Sequence, residues 1–276
     1  MNGYNLDKNK CIALLIFGFV ATSIGVFIRL YLPLEANFPL NDGGLFYTFS
    51  KDIIDSNFKL PFYTSYNYYQ IPFAYPPLSF YMIAAISFIF KMDLLFAIRL
   101  VPPIITIFTI PAFFLFSYSY YKNAVNVIFA VFSYVFLPWS YMWLIMGGGV
   151  SRSVGAFFGI LSLHSIFLLY TKRKKIFIIS SGIFSSLTIL SHLGFSAFVF
   201  ISALIFILFL GRNRTSIIYS LYVGILVLVL TSPWWFTIIT RHGIEPILSA
   251  LNSGYGDYRK NAIINLIFLG LQAKFH

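Results

Sequence analysis

Long apolar runs separated by short polar punctuation make up most of the chain. They fall at 11–33, 94–118, 124–145, 153–170, 176–193, 195–210 and 216–238, with a last partial run starting near Ala262. A helix needs roughly 17–25 residues to cross about 30 Å of hydrocarbon, and most of these runs approach or reach that length. They are apolar all round rather than along one stripe, as membrane-embedded helices are. A shorter run, residues 78–90, predicts a shallow interfacial or re-entrant helix. No internal repeat, heptad or nucleotide-binding fingerprint interrupts the pattern. The expectation is an all-α polytopic membrane protein of about eight transmembrane helices, forming one membrane domain over residues 1–276. One long segment breaks the pattern: residues 38–78 (FPLNDGGLFYTFSKDIIDSNFKLPFYTSYNYYQIPFAYPPL) are polar, aromatic and punctuated by proline.

Composition excludes a soluble fold. The chain is 59% hydrophobic and 10% charged, against roughly 25% charged for an ordinary soluble domain. The first apolar run is too long for the core of a cleaved signal peptide and reads as a retained span. A net charge of +11 forms no continuous basic face, which argues against a nucleic-acid partner. The basic residues instead punctuate the connectors, as in cytoplasmic loops. Lys8 and Lys10 precede the first span, so the N-terminus is expected in the cytoplasm and residues 34–93 outside. Arg29, near the outer end of that span, is expected to snorkel to the interface. If 78–90 does not cross, Lys122, Lys172–Lys175, Arg212 and Arg214 all fall in the cytoplasm; if it crosses, all fall outside, against the orientation rule. The shallow reading of 78–90 is therefore preferred. The lone cysteine, Cys11, closes no intrachain disulfide. The last run is too short and polar to span comfortably, which predicts a fragment or a short relative of a longer protein.

This topology collects the chemistry on one side. The outer connectors carry Asp42, Arg152, His192, Arg241, His242 and Glu245, while the cytoplasmic ones carry little but basic and small polar residues. Asp42, in Asn41-Asp42-Gly43-Gly44, reads as a general base for an attacking hydroxyl or as the N-cap of an interfacial helix. Asp52 and Asp55 share one face of that helix; they read as sugar or metal ligands, or as its solvated side with Phe46, Phe49, Ile53 and Ile54 in lipid. The aromatics from Phe62 to Tyr75, Tyr66 and Tyr75 among them, suit stacking on sugar rings or an interfacial belt. Arg152 follows a triple glycine at a helix start, an anion site or a lipid-headgroup contact. Arg241 and His242 suit a phosphate, or anchor the span beside Trp234 and Trp235. His192 reads as a sugar contact or as an interhelical hydrogen bond, and His164 as packing. The four histidines show no metal-ligand spacing.

Taken together, Asn41-Asp42-Gly43-Gly44, Tyr75-Pro76-Pro77-Leu78, the Gly147–Arg152 turn, Ser191-His192 and Pro233-Trp234-Trp235 with Arg241-His242-Gly243 resemble the GT-C superfamily of membrane glycosyltransferases. The likeness is to uncharacterised prokaryotic members grouped with the protein mannosyltransferase and lipid A aminoarabinose transferase branches. The resemblance implies a polyprenyl-phosphate-linked sugar donor and a glycan, lipid or protein acceptor on the outer face of the cell membrane. It implies inversion with Asp42 as base, and by position Arg152 and Arg241 would hold the donor phosphate. From the residues themselves, His242 is expected beside that phosphate and Asp52, Asp55, Tyr66, Tyr75 and His192 as acceptor or sugar contacts. No cofactor is implied, and the absence of a second acid beside the Gly147–Arg152 turn argues against a divalent metal. Two other classes stay open at this point: a carrier or flippase of lipid-linked sugars, and a non-catalytic subunit or fragment of the same fold.

Overall fold

The computed structural model describes residues 8–253 apart from Asn37, Leu40, Tyr69, Lys122, Gly147 and Gly148. Along the chain, α1 (Lys8–Glu35) leads into α2 (Gly43–Asp55), a small antiparallel hairpin of β1 (Tyr63–Thr64) and β2 (Ile71–Pro72), and α3 (Leu78–Ile89). Then come α4 (Leu94–Tyr120), α5 (Ala124–Phe136), α6 (Met142–Ile145), α7 (Gly149–Lys172), α8 (Ile176–Ile189), α9 (Leu193–Leu210), α10 (Arg214–His242) and α11 (Glu245–Ser253). Side chains cap several starts: Asp93 accepts from Phe96 N–H, Asn123 from Val125 N–H and Asn213 from Ser216 N–H. Such caps satisfy amides that a helix leaves without partners.

The protein is an all-α membrane protein. Among the described residues, α1 from Leu14, α4, α7, α9 and α10 are long and apolar enough to cross a bilayer. A sixth span results if α5 and Pro138–Ile145 count as one, bent by 80°. About eight were expected, and the difference has local causes. The run 124–145 breaks at Leu137-Pro138, because proline removes a backbone donor and disfavours helix in the residue before it. The run 176–193 yields α8, whose 14 residues reach only about 21 Å. It stops because the chain turns at Leu190–His192 to start α9. The run from Ala262 lies outside the described residues. The 12 residues of α3 extend about 18 Å, too short to cross.

Within the bundle α7 is the most buried of the long helices, packed against α4, α8 and α9, while α9 and α10 show most of their surface. Close approach needs small residues. A Cβ at Gly155 of α7 would come within 2.7 Å of His192 Cβ, so larger residues would push α9 away. In α4, which carries three prolines, the Thr106 and Thr109 hydroxyls turn back onto their own helix and donate to the Pro102 and Thr106 carbonyls at 2.8 and 2.6 Å.

The apolar face of α2, expected in lipid, is turned into the protein. Phe46, Phe49 and Ile53 are buried with Phe73, Phe80, Ile83, Ala97, Ile98, Val101 and Val150, and Ile54 packs at the edge of the same cluster. The Phe49 ring lies 4.9 Å from that of Phe73 and 5.1 Å from that of Phe80; Phe46 and Phe80 are 5.3 Å apart. Two helices too short to span thus cover each other and the ends of α4 and α7.

Arg29 also departs from expectation. It does not snorkel: it is fully buried, folded inward to the break after α5. Its guanidinium donates long hydrogen bonds to the Val135 carbonyl (3.4 Å) and Ser140 hydroxyl (3.3 Å), and lies 5.0 Å from the Tyr141 ring centre. Val135 is in the last turn of α5, where carbonyls lack intrahelical partners and carry partial negative charge. The cation therefore closes the broken helix instead of reaching water.

Several contacts bring the polar segments to one end of the bundle. Arg99 donates to the Leu34 carbonyl (3.2 Å), Leu78 N–H to the Leu190 carbonyl (2.9 Å), and Arg241 to the Leu60 carbonyl (2.8 Å). At the other end Tyr170 and Ser220 hydroxyls meet at 2.8 Å, and Ser119 meets His164 Nε2 at 2.8 Å. The buried ring of Phe49 predicts that Phe49→Ala costs about 3–5 kcal/mol. Thermal unfolding in detergent should show a large loss for Phe49→Ala and little change for the outward-facing Phe209→Ala; equal small effects would place α2 against lipid after all.

Candidate functional site

The site begins where α2 begins. Asn41 takes a left-handed backbone conformation (φ 59°), which asparagine tolerates better than most residues. Asp42 then occupies the N-cap position, and its carbonyl accepts from Phe46 N–H at 3.0 Å. Its carboxylate makes no capping hydrogen bond. Instead Oδ2 lies 3.8 Å from Arg152 Nη2, with the acid half exposed (51%) and the arginine largely covered (28%). An exposed pair of this length adds about 0–1 kcal/mol to stability. Stability alone gives little reason for the acid to sit there.

The first turn of α7 positions Arg152. A Cβ at Gly149 would run into the Leu144 carbonyl, so glycine permits the tight entry into α7. Arg152 Cζ lies 5.4 Å from the Trp143 ring centre, a cation–π contact that limits the arginine's freedom. One residue earlier, the Ser151 hydroxyl meets the Tyr75 hydroxyl at 3.1 Å. Burial raises the Tyr75 pKa above its ordinary value, against the smaller pulls of the Ser151 bond and Arg152. Tyr75 therefore stays a neutral hydroxyl and ties the proline-rich entry of α3 to α7.

Donors in the first turns of α3 and α7 lack acceptors. Arg152 Nη1, Ser153 Oγ and Ser79 Oγ are buried without a hydrogen-bond partner. Buried polar groups are nearly always paired, so each exception calls for an explanation. The opening turn of α7 adds backbone amides with no intrahelical partner and the positive end of a helix dipole. The arrangement is short of acceptors and suits an anion.

His192 caps α9: its Nδ1 accepts from Phe195 N–H at 3.2 Å. That bond leaves Nε2 to carry the proton of the neutral ring. Burial, and secondarily the nearby Arg152, lower its pKa to about 4. The structure thus brings Asp42, Tyr75, Arg152 and His192 together.

It does not bring in the other expected residues. Arg241, expected on phosphate, donates to the Leu60 and Pro61 carbonyls at 2.8 and 3.4 Å and lies 4.2 Å from the Phe62 ring centre. His242 packs edge-on to Phe62 and Tyr63, its Nε2 buried without a partner. Together they hold the hairpin entry rather than joining Arg152. Asp52, expected on a solvated face, is buried; it accepts from Thr64 Oγ1 (2.7 Å), Ser65 N–H (3.0 Å) and Ser65 Oγ (2.6 Å). That carboxylate fastens the hairpin to α2. Asp55 is exposed and paired with Lys51. Tyr66 is half-buried in the turn between β1 and β2, and Glu245 opens α11. Among the described residues, no three of His, Cys, Asp and Glu cluster as a metal would require. Sequence reasoning missed Trp143, Ser151 and the Thr64-Ser65 clamp. Only Ser151, inside the Gly147–Arg152 motif, carried a local signal.

No family model matches the chain, and no curated protein matches it in sequence.

Two outcomes follow from this geometry. Because the folded His192 binds its proton more weakly than the unfolded residue, its contribution to stability is complete above about pH 6.5 and is lost as pH falls towards about 4. His192→Asn keeps a capping side chain without a titrating group, so its stability should fall less over that window than wild type's. Asp52→Ala should cost about 2 kcal/mol by leaving donors unpaired. Hydrogen exchange should then quicken across residues 63–72 first.

Proposed function

We propose that this chain transfers a sugar from a polyprenyl-phosphate donor to an acceptor hydroxyl at the outer face of the membrane, with Asp42 as general base. One observation carries the reading: a half-exposed Asp42 carboxylate, uncommitted to capping, lies against an arginine at a helix start where buried donors lack acceptors. Catalysis of this kind needs a base for the incoming hydroxyl and fixed positive charge for the departing phosphate. The resemblance of Asn41-Asp42-Gly43-Gly44 and the Gly147–Arg152 turn to GT-C enzymes supports the same assignment.

In the proposed reaction the acceptor oxygen attacks the anomeric carbon and passes its proton to Asp42. The bond from that carbon to the phosphate oxygen breaks, and the electron pair leaves with the lipid phosphate. Attack from the opposite side inverts the anomeric centre, so base and leaving group cannot both stay against one arginine. Arg152 turns from Asp42 to the phosphate as donor binds, which frees the carboxylate to accept a proton. Ser153 and the amides opening α7 share the phosphate charge. Neutral His192 offers its Nε2 proton to a sugar hydroxyl, and Tyr75 fixes the distance between loop and helix. Asp55, at the far end of α2 from Asp42, and Tyr66, in the hairpin turn, take no part in the step. Arg241 and His242 position the hairpin. The bilayer holds the lipid tail, so the sugar arrives confined to two dimensions. Lys172–Lys175, Arg212 and Arg214, at the far end from Asp42, support the outward orientation.

Membranes supplied with a labelled polyprenyl-phosphate sugar test the assignment. Asp42→Asn should lower kcat by about 10²–10⁴-fold with donor binding retained. Arg152→Gln should weaken the binding of donor. Transfer by Asp42→Asn at the wild-type rate would remove Asp42 as base.

A further inference from the structure

We propose that the cleft at the opposite end of the bundle binds the headgroup of an anionic phospholipid, with Lys172 as the cation that recognises its phosphate. This site is separate from the Asp42 site and does not depend on the reaction assigned there.

The cleft, about 460 Å³, lies between α1, α4, α5 and α7. That is within the roughly 300–1,000 Å³ of small-ligand pockets. Its walls change character along the bundle. Leu14, Val127 and Phe167 form an apolar part inside spans or apolar helices; Tyr118, Asn123 and Lys172 form the polar part where α4 and α7 end and α5 begins. Such a gradient fits an amphiphile better than a soluble anion. Asn123 Oδ1 accepts from Val125 N–H (2.9 Å), which leaves its amide NH₂ as a donor. Ser119 and Thr171 are already committed, to His164 Nε2 and to the Phe167 carbonyl, each at 2.8 Å. Lysine ammonium, asparagine amide and tyrosine hydroxyl remain, a donor set for phosphate oxygens.

Charge complementarity identifies the occupant. No Asp or Glu occurs between Asp93 and Glu245, so none of the helices from α4 to α10 supplies an acid for this end. Among the described residues the ion pairs are Lys51–Asp55 and Asp42–Arg152. Lys172, Arg173, Lys174 and Lys175 are all exposed. A basic group beside an anionic leaflet gains binding energy from lipid headgroups. A general basic surface would share that gain over all four residues, whereas the cleft gives Lys172 a place of its own.

The test is lipid titration of the purified full chain in neutral detergent, followed by native mass spectrometry and thermal unfolding. Phosphatidylglycerol should leave one retained lipid and raise Tm, while phosphatidylcholine at equal concentration should do neither. Lys172→Gln should weaken phosphatidylglycerol binding at least about fivefold, as loss of one lysine contact near an anionic surface predicts. Lys175→Gln removes the same charge outside the cleft and should leave binding unchanged. Both variants should unfold like wild type without lipid, since both side chains are exposed. Equal weakening by the two would reduce the effect to diffuse surface charge and overturn the proposal. So would equal binding of phosphatidylcholine, or stabilisation by inorganic phosphate as strong as by phosphatidylglycerol.

Discussion

The aromatic junction centred on Phe49 is the interaction on which the rest depends. Two helices too short to cross a bilayer must still bury their apolar faces. α2 and α3 do so by packing Phe46, Phe49 and Phe80 on one another, with Phe73 of the hairpin and the first turns of α4 and α7. Aromatic pairs at these distances add about 0.5–1.5 kcal/mol each beyond the area they bury. Asp52 then fastens the hairpin to the platform from within. Every member of the site is placed from there. The start of α2 presents Asp42, the entry to α3 presents Tyr75, and the Leu78–Leu190 backbone bond sets the level at which His192 caps α9.

Three arginines show how surroundings divide one chemistry into different tasks. Arg29 is fully buried and closes a broken helix from inside the bundle. Arg241 is committed to loop carbonyls and the face of Phe62. Arg29 also has a buried Nε without a partner, but both of its terminal nitrogens are bonded, whereas Arg152 has only a long contact to an exposed acid and its terminal Nη1 is buried without a partner. A cation with unmet hydrogen-bonding capacity is the one suited to receive a ligand. This is why the proposed phosphate role rests on Arg152 and not on the set of three residues that the motifs favour.

Much of this arrangement was legible in the sequence, because membrane helices are written in long apolar runs and the polar connectors fall at their ends. The same bookkeeping gathered Asp42, Arg152, His192 and Arg241 at one end, where the structure has them. Hydrophobic pattern could not say what covers an apolar face. Lipid and protein cores are equally apolar, so Phe46 and Phe49 read as lipid-facing when they are core. Length alone did not reveal the break at Pro138, since the run on either side stays apolar. Asp52 and Asp55 look equivalent in the chain; only the distant Thr64 and Ser65 decide that one is a buried clamp and the other an exposed ion pair. The position of Arg29 near a span end pointed to water, but the carbonyls of α5 offered a nearer partner.

The central claim is that the loop and the starts of α7 and α9 form a site open to the outside, with the basic connectors opposite. Labelling of single cysteines by a membrane-impermeant maleimide in intact cells, in a Cys11→Ser background, tests it most directly. The account predicts that a cysteine replacing Asp42 reacts from outside, and that one replacing Lys174 reacts only after the membrane is permeabilised. The reverse pattern, or outside labelling at both positions, would contradict it.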